Sequence, residues 1–290
     1  MNGGIVSDEA AIGGAAARGG VAIPEWPVRL GALIGHQLRS RMRSTIVWSL
    51  SLGLLGTLYV ALFPTMKGQL DQYMSALPEE YLAFLGLGTS SMSTLAGFLS
   101  IEMHSIIAPL ALAFLPIIMG ARAIAGAEET KSLDVLLSNP LPRWMIVACA
   151  FLTMVVELGI IVLALALLIL VPTLMVGESL SVANLFAGSL NLIPFCLFFG
   201  GLALLFSAAF RRPGLAIAIP GAVLVASYVL DGLAAAIDAI AGLRPLSIFY
   251  HYGSAIETGM PWGSAAVITL FAVAFAGSAM ALFYRRDIYT

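Results

Sequence analysis

Residues 126–132 come nearest to a known catalytic or nucleotide-binding motif. They read GAEETKS, which superficially resembles a phosphate-binding loop. Thr130, however, stands where such a loop has the glycine before Lys-Ser, and no buried strand precedes it. Glu128 and Glu129 could also open the Glu-Glu-x-x-x-Arg motif of a membrane-embedded protease. The arginine position holds Leu133, and no histidine lies at helical spacing in the flanking apolar segments. The sequence therefore predicts neither nucleotide hydrolysis nor proteolysis by this chain.

The same stretch and its continuation to residue 143 favour a short helix outside the membrane. Glu128 and Glu129 would occupy its first turn, where the helix dipole favours negative charge, and Pro140 would end it. Three leucines at one-turn spacing give this helix an apolar patch: Leu133, Leu136 and Leu137. Such a patch on an exposed helix indicates a contact with another protein.

Glu157 is the one ionisable residue deep within an apolar segment, twelve positions into 146–171. A carboxylate at the middle of a bilayer is costly and normally faces a cavity or a partner. It could line a transport path, or bind a proton or a cation. Alternatively, it could be a protonated side chain that forms a hydrogen bond between helices, or lie nearer the inner surface if the span is slightly shifted.

Side chains that suit soft metals are scattered rather than clustered. Met66, Met74, Met92, Met103 and His104 lie outside or at the end of the apolar segments, and thioethers and imidazole suit copper. No close Met-x-x-Met spacing occurs among them. We therefore interpret these methionines as side chains that fill packing gaps and predict no metal site.

The elements that must position these residues are membrane spans. Of the 290 residues, 60% are hydrophobic and 10% are charged, against about 45–50% and about 25% in soluble domains. So little charge excludes a soluble enzyme, a disordered chain and a nucleic-acid-binding protein. The expected fold class is all-α, a polytopic membrane protein with six transmembrane helices. Each predicted span approaches the roughly 20 residues that a bilayer core requires: 45–63, 105–121, 146–171, 185–209, 214–230 and 263–284.

The basic residues give the chain an orientation, because cytoplasmic loops collect Lys and Arg. Of the 14 basic residues, only Lys67 and Arg244 fall on one side of the six-span arrangement. The others fall on the side that holds both termini. Both termini are therefore expected in the cytoplasm, which agrees with an even number of spans.

The segments outside the spans are of three kinds. Residues 1–27 are rich in Gly and Ala, and we expect a disordered cytoplasmic tail. Residues 28–43 place Leu and Ile on one face and Arg on the other, which predicts an amphipathic helix at the inner membrane surface; an unstructured basic anchor is the alternative. The outer segments 64–104 and 231–262 mix charged and apolar residues, and we expect interfacial or partly re-entrant helices there.

Residues 126–143 resemble the inner loop of type-2 ATP-binding-cassette (ABC) transporter permeases. The pattern of that loop is Glu-Glu, two residues, Thr or Ser, Leu, Glu, a leucine run, Pro and Arg. The residues that fit it are Glu128, Glu129, Ser132, Leu133, Asp134, Leu136, Leu137, Pro140 and Arg143. Two positions depart from it, since Lys131 stands where glycine is usual and Pro142 stands where serine is frequent.

Three more features within residues 28–288 resemble the same family. The basic amphipathic segment before the first span is similar to its elbow helix. Residues 246–252, LSIFYHY, are similar to the aromatic Leu-Ser-Pro-Phe-Tyr-Tyr stretch before the last span, and residues 283–288, FYRRDI, to the Phe-x-Arg-Arg-Asp ending. The resemblance assigns an outer gate region to Leu246, Phe249, Tyr250 and Tyr252.

The resemblance implies a division of labour between this chain and a separate ATP-binding subunit. In this family the loop after the second span forms a coupling helix that docks on the ATPase. Six spans make one half of the transporter, so a second permease subunit, identical or different, is implied. No cofactor is expected on this chain, because ATP and Mg²⁺ would bind the partner. Residues 28–290 would then be the permease domain of an exporter in a prokaryotic inner membrane.

Two other functions stay open at this point. A secondary transporter or channel working alone would predict more charge within the membrane or an inverted repeat. The sequence offers one deep carboxylate, Glu157, and no clear repeat. A scaffold or sensor subunit that transports nothing could use the 126–143 loop to signal. The sequence does not identify the substrate, and it predicts no nucleic-acid partner.

Overall fold

The computed structural model describes residues 25–74, 76–78, 81–82, 92, 94–132 and 142–285. Within these residues there is no strand, and six helices are long and apolar enough to cross a membrane. The predicted fold class is therefore confirmed. A 3-10 segment, Asp238–Leu246, joins two of the helices. We label the helices in chain order as α1 (Glu25–Met74), α2 (Leu95–Glu129), α3 (Arg143–Val176), α4 (Val182–Ala209), α5 (Pro213–Ala236), α6 (Ile248–Tyr252), α7 (Ala255–Thr258) and α8 (Trp262–Arg285).

The long helices extend beyond the apolar runs that predicted them. The 34 residues of α3 span about 51 Å at 1.5 Å per residue, against a hydrocarbon core of about 30 Å. Helical hydrogen bonding continues through polar residues, because each N–H still finds the carbonyl four residues earlier. In α1, the basic segment 28–43 is helical as predicted, but it runs into the first span without a break. Its placement as an elbow at the membrane surface stays a prediction.

The two predicted outer segments are divided between long and short helices. Residues 64–74 belong to α1, and residues 95–104 belong to α2. Residues 231–236 end α5, and the rest of 231–262 is built mainly from the 3-10 segment, α6 and α7. The described parts of both segments are largely helical, and their expected interfacial or re-entrant placement stays a prediction.

The central helix of the bundle is α4, which packs against α2, α3, α5 and α8. Its glycines bring neighbouring backbones close. A Cβ added at Gly201 would lie 2.7 Å from Ala272 O of α8, and one added at Gly120 of α2 would lie 2.6 Å from Gly200 O. Close approach at small residues is a common way for helices to associate in lipid, where burying apolar side chains gains little.

Helix α2 contains two π-helical stretches, Ser100–Ile107 and Arg122–Gly126. The second is held by Ser207 of α4. Its Oγ accepts a hydrogen bond from Ala125 N–H at 2.9 Å and donates one to Ala121 O at 2.9 Å. A side chain of the central helix therefore supplies partners for backbone groups where the regular α-helical pattern is interrupted.

Helices α1 and α3 pack along each other and run in the same direction. Trp26 contacts Trp144 near the start of both helices, with ring centroids 6.0 Å apart. Near their other ends, Lys67 Nζ lies 3.1 Å from Glu178 Oε1. This register brings the basic part of α1 beside the first half of α3, where Glu157 lies.

Candidate functional site

The described candidate coupling residues lie at the end of the bundle where α2 ends, α3 begins and α8 ends: Glu128, Glu129, Ser132 and Arg143. We call this the basic end, and the end near Lys67 and Glu178 the opposite end. The described basic residues at the basic end include Arg122, Arg143, Arg211, Arg212 and Arg285. Five predicted coupling residues lie outside the described residues, and their role stays a prediction: Leu133, Asp134, Leu136, Leu137 and Pro140.

Glu128 and Glu129 close α2 instead of opening a separate helix, which differs from the sequence-based expectation. They form the last turn of a helical segment that begins at Leu95. The helix of the second span continues through its π-helical stretch, so no new helix N-terminus forms before Glu128. The segment then ends in a turn, in which Lys131 N–H donates to Glu128 O at 3.0 Å.

Lys131 has a φ of 56°, and within the described part of the chain it is the only non-glycine residue with a positive φ. Glycine adopts this left-handed conformation without steric cost, and glycine is usual at this position in the loop that the sequence resembles. Hydroxyl groups on both sides support the turn. Thr130 Oγ1 lies 2.9 Å from Ser132 Oγ, and Ser132 Oγ donates to Ala127 O at 3.3 Å.

Arg143 joins the start of α3 to the end of α8. Its Nη1 donates to Phe283 O at 3.3 Å and to Tyr284 O at 3.4 Å. Its guanidinium carbon also lies 5.8 Å from the centroid of the Phe283 ring. The last carbonyls of a helix lack partners within the helix, and a cation there suits the helix dipole. Arg143 thus ties the end of the loop to the last span.

A cleft of about 440 Å³ opens at the basic end between α2 and the start of α5. Arg122, Glu129 and Ser132 line one side of it, and Gly214 lines the other. Among the described lining residues there is therefore one charge of each sign. Because Glu129 and Ser132 belong to the predicted coupling segment, the cleft lies directly beside the loop that resembles a docking site for an ATPase.

Glu157 is fully buried between α1 and α3. Arg41 Nε donates to Glu157 Oε2 at 2.7 Å, and Thr45 Oγ1 donates to Oε1 at 3.1 Å. One turn closer to the basic end, Thr153 Oγ1 donates to Gln37 Oε1 at 3.0 Å. Glu157 therefore joins α3 to α1 through an ion pair with Arg41, whereas the sequence-based alternatives were a protonated side chain or a shifted span. A role for Glu157 in a translocation path stays a prediction.

Gln37, Arg41 and Thr45 were not predicted as partners of α3, although the sequence contains a signal for it. These three residues recur every fourth position and so share one face of α1. Thr153 and Glu157 have the same spacing on α3. Matching rows of polar residues on two apolar helices favour contact between those helices, because each row needs partners within the membrane.

The predicted outer gate residues separate into a buried pair and an exposed pair at the opposite end. Phe249 and Tyr252 are buried against Phe195 of α4, with ring centroids 4.9 Å and 5.0 Å away. Leu246 and Tyr250 are exposed. Burial raises the pKa of the Tyr252 phenol well above its ordinary value. The buried pair therefore belongs to the packed core, and the exposed pair is accessible for contacts with other molecules.

Ser247 fixes this aromatic segment to α5. Its Oγ accepts from Phe249 N–H at 3.1 Å, which caps α6, and donates to Ser227 O at 2.7 Å. From α4, Asn191 Nδ2 donates to Tyr252 O at 2.7 Å. The serine of the LSIFYHY stretch is thus a helix cap that also anchors the segment to a span.

Residues 32–288 match the sequence model of a family described as ABC-2 family transporter protein. This range includes most of α1, the whole loop at the basic end and the aromatic segment at the opposite end. The chain belongs to the ABC-2 transporter family. No curated protein and no solved structure matched the chain.

Membership confirms the resemblance that residues 126–143, 246–252 and 283–288 carry. An ABC-2 permease is a membrane transport subunit that is not itself an enzyme and associates with an ATP-binding subunit. With its six apolar helices, this ABC-2 protein is a multi-pass membrane protein.

Proposed function

We propose that this ABC-2 protein is one membrane-spanning half of an exporter driven by ATP that a separate subunit hydrolyses. The family match over residues 32–288 carries the proposal. A second permease subunit, identical or different, completes the pathway. The concentration of arginines at the basic end favours a cytoplasmic location for that end and for both termini, in a prokaryotic inner membrane.

The coupling contact is assigned to the loop 126–143. Its leucines 133, 136 and 137 fill a groove on the ATPase, while Glu128, Glu129 and Asp134 set the register at the rim. The turn at Thr130–Ser132 supports this role, because its hydroxyl contacts hold the start of the loop in a defined direction. ATP and Mg²⁺ bind to the ATPase subunit, and this chain holds no cofactor.

Three contacts offer a route from this loop into the spans. Arg143 links the end of the loop to α8. Ser207 links the end of α2 to the central helix α4. Arg41 and Glu157 link α3 to α1. Movement of the loop upon closure of the ATPases would therefore shift several spans together, as alternating access requires.

A stand-alone transporter is less well supported, because it rests on Glu157 as a site for a proton or a cation. Both carboxylate oxygens already have partners, Arg41 and Thr45. A coupling cation would have to displace the Arg41 guanidinium from the fully buried carboxylate of Glu157.

The experiment is to replace Leu136 by Asp in the reconstituted complex with its ATPase. Losing one buried leucine costs about 1.5–3 kcal/mol, which weakens docking by about 10- to 150-fold, so substrate-stimulated ATP hydrolysis and transport should fall together. Leu243→Asp is the matched control, since Leu243 is exposed in the 3-10 segment at the opposite end. Undiminished coupling in Leu136→Asp would refute the assignment.

A further inference from the structure

A groove of about 640 Å³ lies between α4, α6 and the first half of α8. Its size falls in the range of roughly 300–1,000 Å³ typical of ligand sites. Phe198 and Ile268 are buried and form its floor, while Val267 and Phe271 at its edge are about half exposed. Since α8 is a membrane span, this exposed edge opens the groove toward lipid.

The lining is apolar except where α8 begins. None of the described lining residues is Asp, Glu, Lys or Arg. The polar side chains are Ser264, in the first turn of α8, and His251 of α6. A contact of 2.8 Å between His251 Nε2 and Pro245 O fixes the imidazole ring. The groove therefore combines a polar mouth with an apolar interior, which is the pattern that an amphiphile requires.

The dimensions of the groove fit a single extended chain. Its lining on α8 runs from Gly263 to Phe275, about 18 Å along the helix axis, close to the roughly 15 Å of one leaflet of a bilayer core. The volume of about 640 Å³ divided by that length gives a mean cross-section of about 36 Å², which leaves room for one extended acyl chain.

An exposed tryptophan beside the mouth of the groove favours a position of the mouth near the lipid head groups. Trp262 begins α8 directly beside the mouth and is exposed. Tryptophan is enriched at the boundary between membrane and water, where its ring faces both media. From this boundary the groove runs along α8 toward the membrane interior, in the direction of an acyl chain.

We propose that this groove binds one acyl chain of a bilayer phospholipid, with the head group beside His251 and Ser264. The bound chain covers Phe198 and Ile268 and packs against Phe271. It is a resident lipid rather than the transported substrate. The proposal depends on the membrane location of the chain and not on its assignment as an exporter.

Photo-crosslinking of the full chain tests this proposal. The probe is a phosphatidylglycerol with a diazirine halfway along one acyl chain, in bilayers of phosphatidylethanolamine and phosphatidylglycerol, and mass spectrometry locates the label. We expect saturable labelling concentrated within residues 263–275. The exposed face of α5, which includes Val223 and Val225, should be labelled weakly. Its labelling should rise in proportion to the concentration of the probe, without saturation.

Two glycines of α8 provide a matched pair of variants. A Cβ at Gly263 or at Gly277 would meet nothing within 4 Å, but only Gly263 is among the described lining residues. Gly263→Phe should lower saturable labelling about tenfold, which corresponds to about 1.4 kcal/mol of binding free energy. This is the loss expected when the new side chain keeps about two methylenes of the acyl chain out of the groove. Gly277→Phe should leave the labelling unchanged.

Equal labelling of both glycine variants, or uniform labelling of α5 and α8, would overturn the proposal, because lipid that merely surrounds the protein would give either result. If Gly263→Phe lowers the unfolding temperature, Val267→Trp fills the groove from its exposed edge instead. Saturable labelling of a stable Val267→Trp variant at the wild-type level would equally overturn it. Failure of the ATPase coupling experiment would leave this measurement unaffected, since no ATPase is present.

Discussion

Replacing Arg41 by Met should destabilise the bundle far more than the same change at Lys67. Both residues belong to α1, and each forms an ion pair with a glutamate in or just after α3. The pairs differ in burial. Glu157 is 0% exposed and Arg41 27% exposed, whereas Lys67 and Glu178 are 44% and 23% exposed. The difference between the two variants therefore isolates the effect of burial on one helix contact.

The magnitudes follow from what each variant leaves behind. Without Arg41, the buried carboxylate of Glu157 keeps only Thr45 among its donors described above, and breaking a buried pair in this way costs about 3–5 kcal/mol. Without Lys67, the carboxylate of Glu178 keeps its access to solvent, and pairs open to solvent contribute about 0–1 kcal/mol. Replacing both Arg41 and Glu157 by Met should restore stability to within about 1 kcal/mol of wild type, because no charge is then buried.

The assay is reversible unfolding of the full chain in mixed dodecyl maltoside and SDS micelles, followed by far-ultraviolet circular dichroism. Arg41→Met, Glu157→Met and the double variant form a cycle with the wild type that isolates the coupling between Arg41 and Glu157. Equal losses for Arg41→Met and Lys67→Met would refute the reasoning. A double variant no more stable than Arg41→Met would refute it as well.

Three further predictions concern backbone geometry and capping. Lys131→Gly should raise the free energy of unfolding by about 1 kcal/mol, since a left-handed residue with a Cβ costs about 1–2 kcal/mol. Lys131→Ala should not raise it, because alanine also has a Cβ. Equal stabilisation by both changes would contradict the conformational explanation. Gly120→Ala should lower the free energy of unfolding by about 1–3 kcal/mol, because its Cβ meets Gly200 O. Gly159→Ala should be tolerated, because its Cβ meets nothing within 4 Å. Equal unfolding temperatures of the two variants would rule out the close approach at Gly120. Ser247→Ala should lower the free energy of unfolding by about 1–2 kcal/mol, because Phe249 N–H loses its cap. The variant should also be cleaved faster by proteases within residues 237–261, and an unchanged cleavage rate would show that the cap is dispensable.

The six spans were predictable because an apolar run near the length of a bilayer crossing is a strong local signal. The ends of the helices were not predictable, since helical hydrogen bonding continues beyond the end of the apolar run. Glu128 and Glu129 illustrate this: their acidity suggested a helix start, yet the second span continues through them. Tertiary bonds from Ser207 to the π-helical stretch support that continuation, and such a contact has no signature in local sequence.

Two sequence motifs at the candidate site correspond to local geometry that the structure shows. The departure at Lys131 falls on a backbone conformation that favours glycine, and the serine of the LSIFYHY stretch is a helix cap. The pairing of Arg41 with Glu157 was not predicted, because it depends on which helices pack together. Arg41 lies among basic residues that suggested a membrane-surface helix, and only the parallel register of α1 and α3 brings it to Glu157.

The central claim is that this chain works with a separate ATP-hydrolysing subunit. The most direct measurement is affinity purification of the full chain from its native membranes in mild detergent, followed by mass spectrometry and an ATPase assay of the eluate. We predict that an ATP-binding-cassette subunit co-purifies in equal amount, and that Leu136→Asp releases it while Leu243→Asp does not. Recovery of the wild-type chain without an ATPase, together with transport driven by an ion gradient in liposomes that lack ATP, would contradict the account.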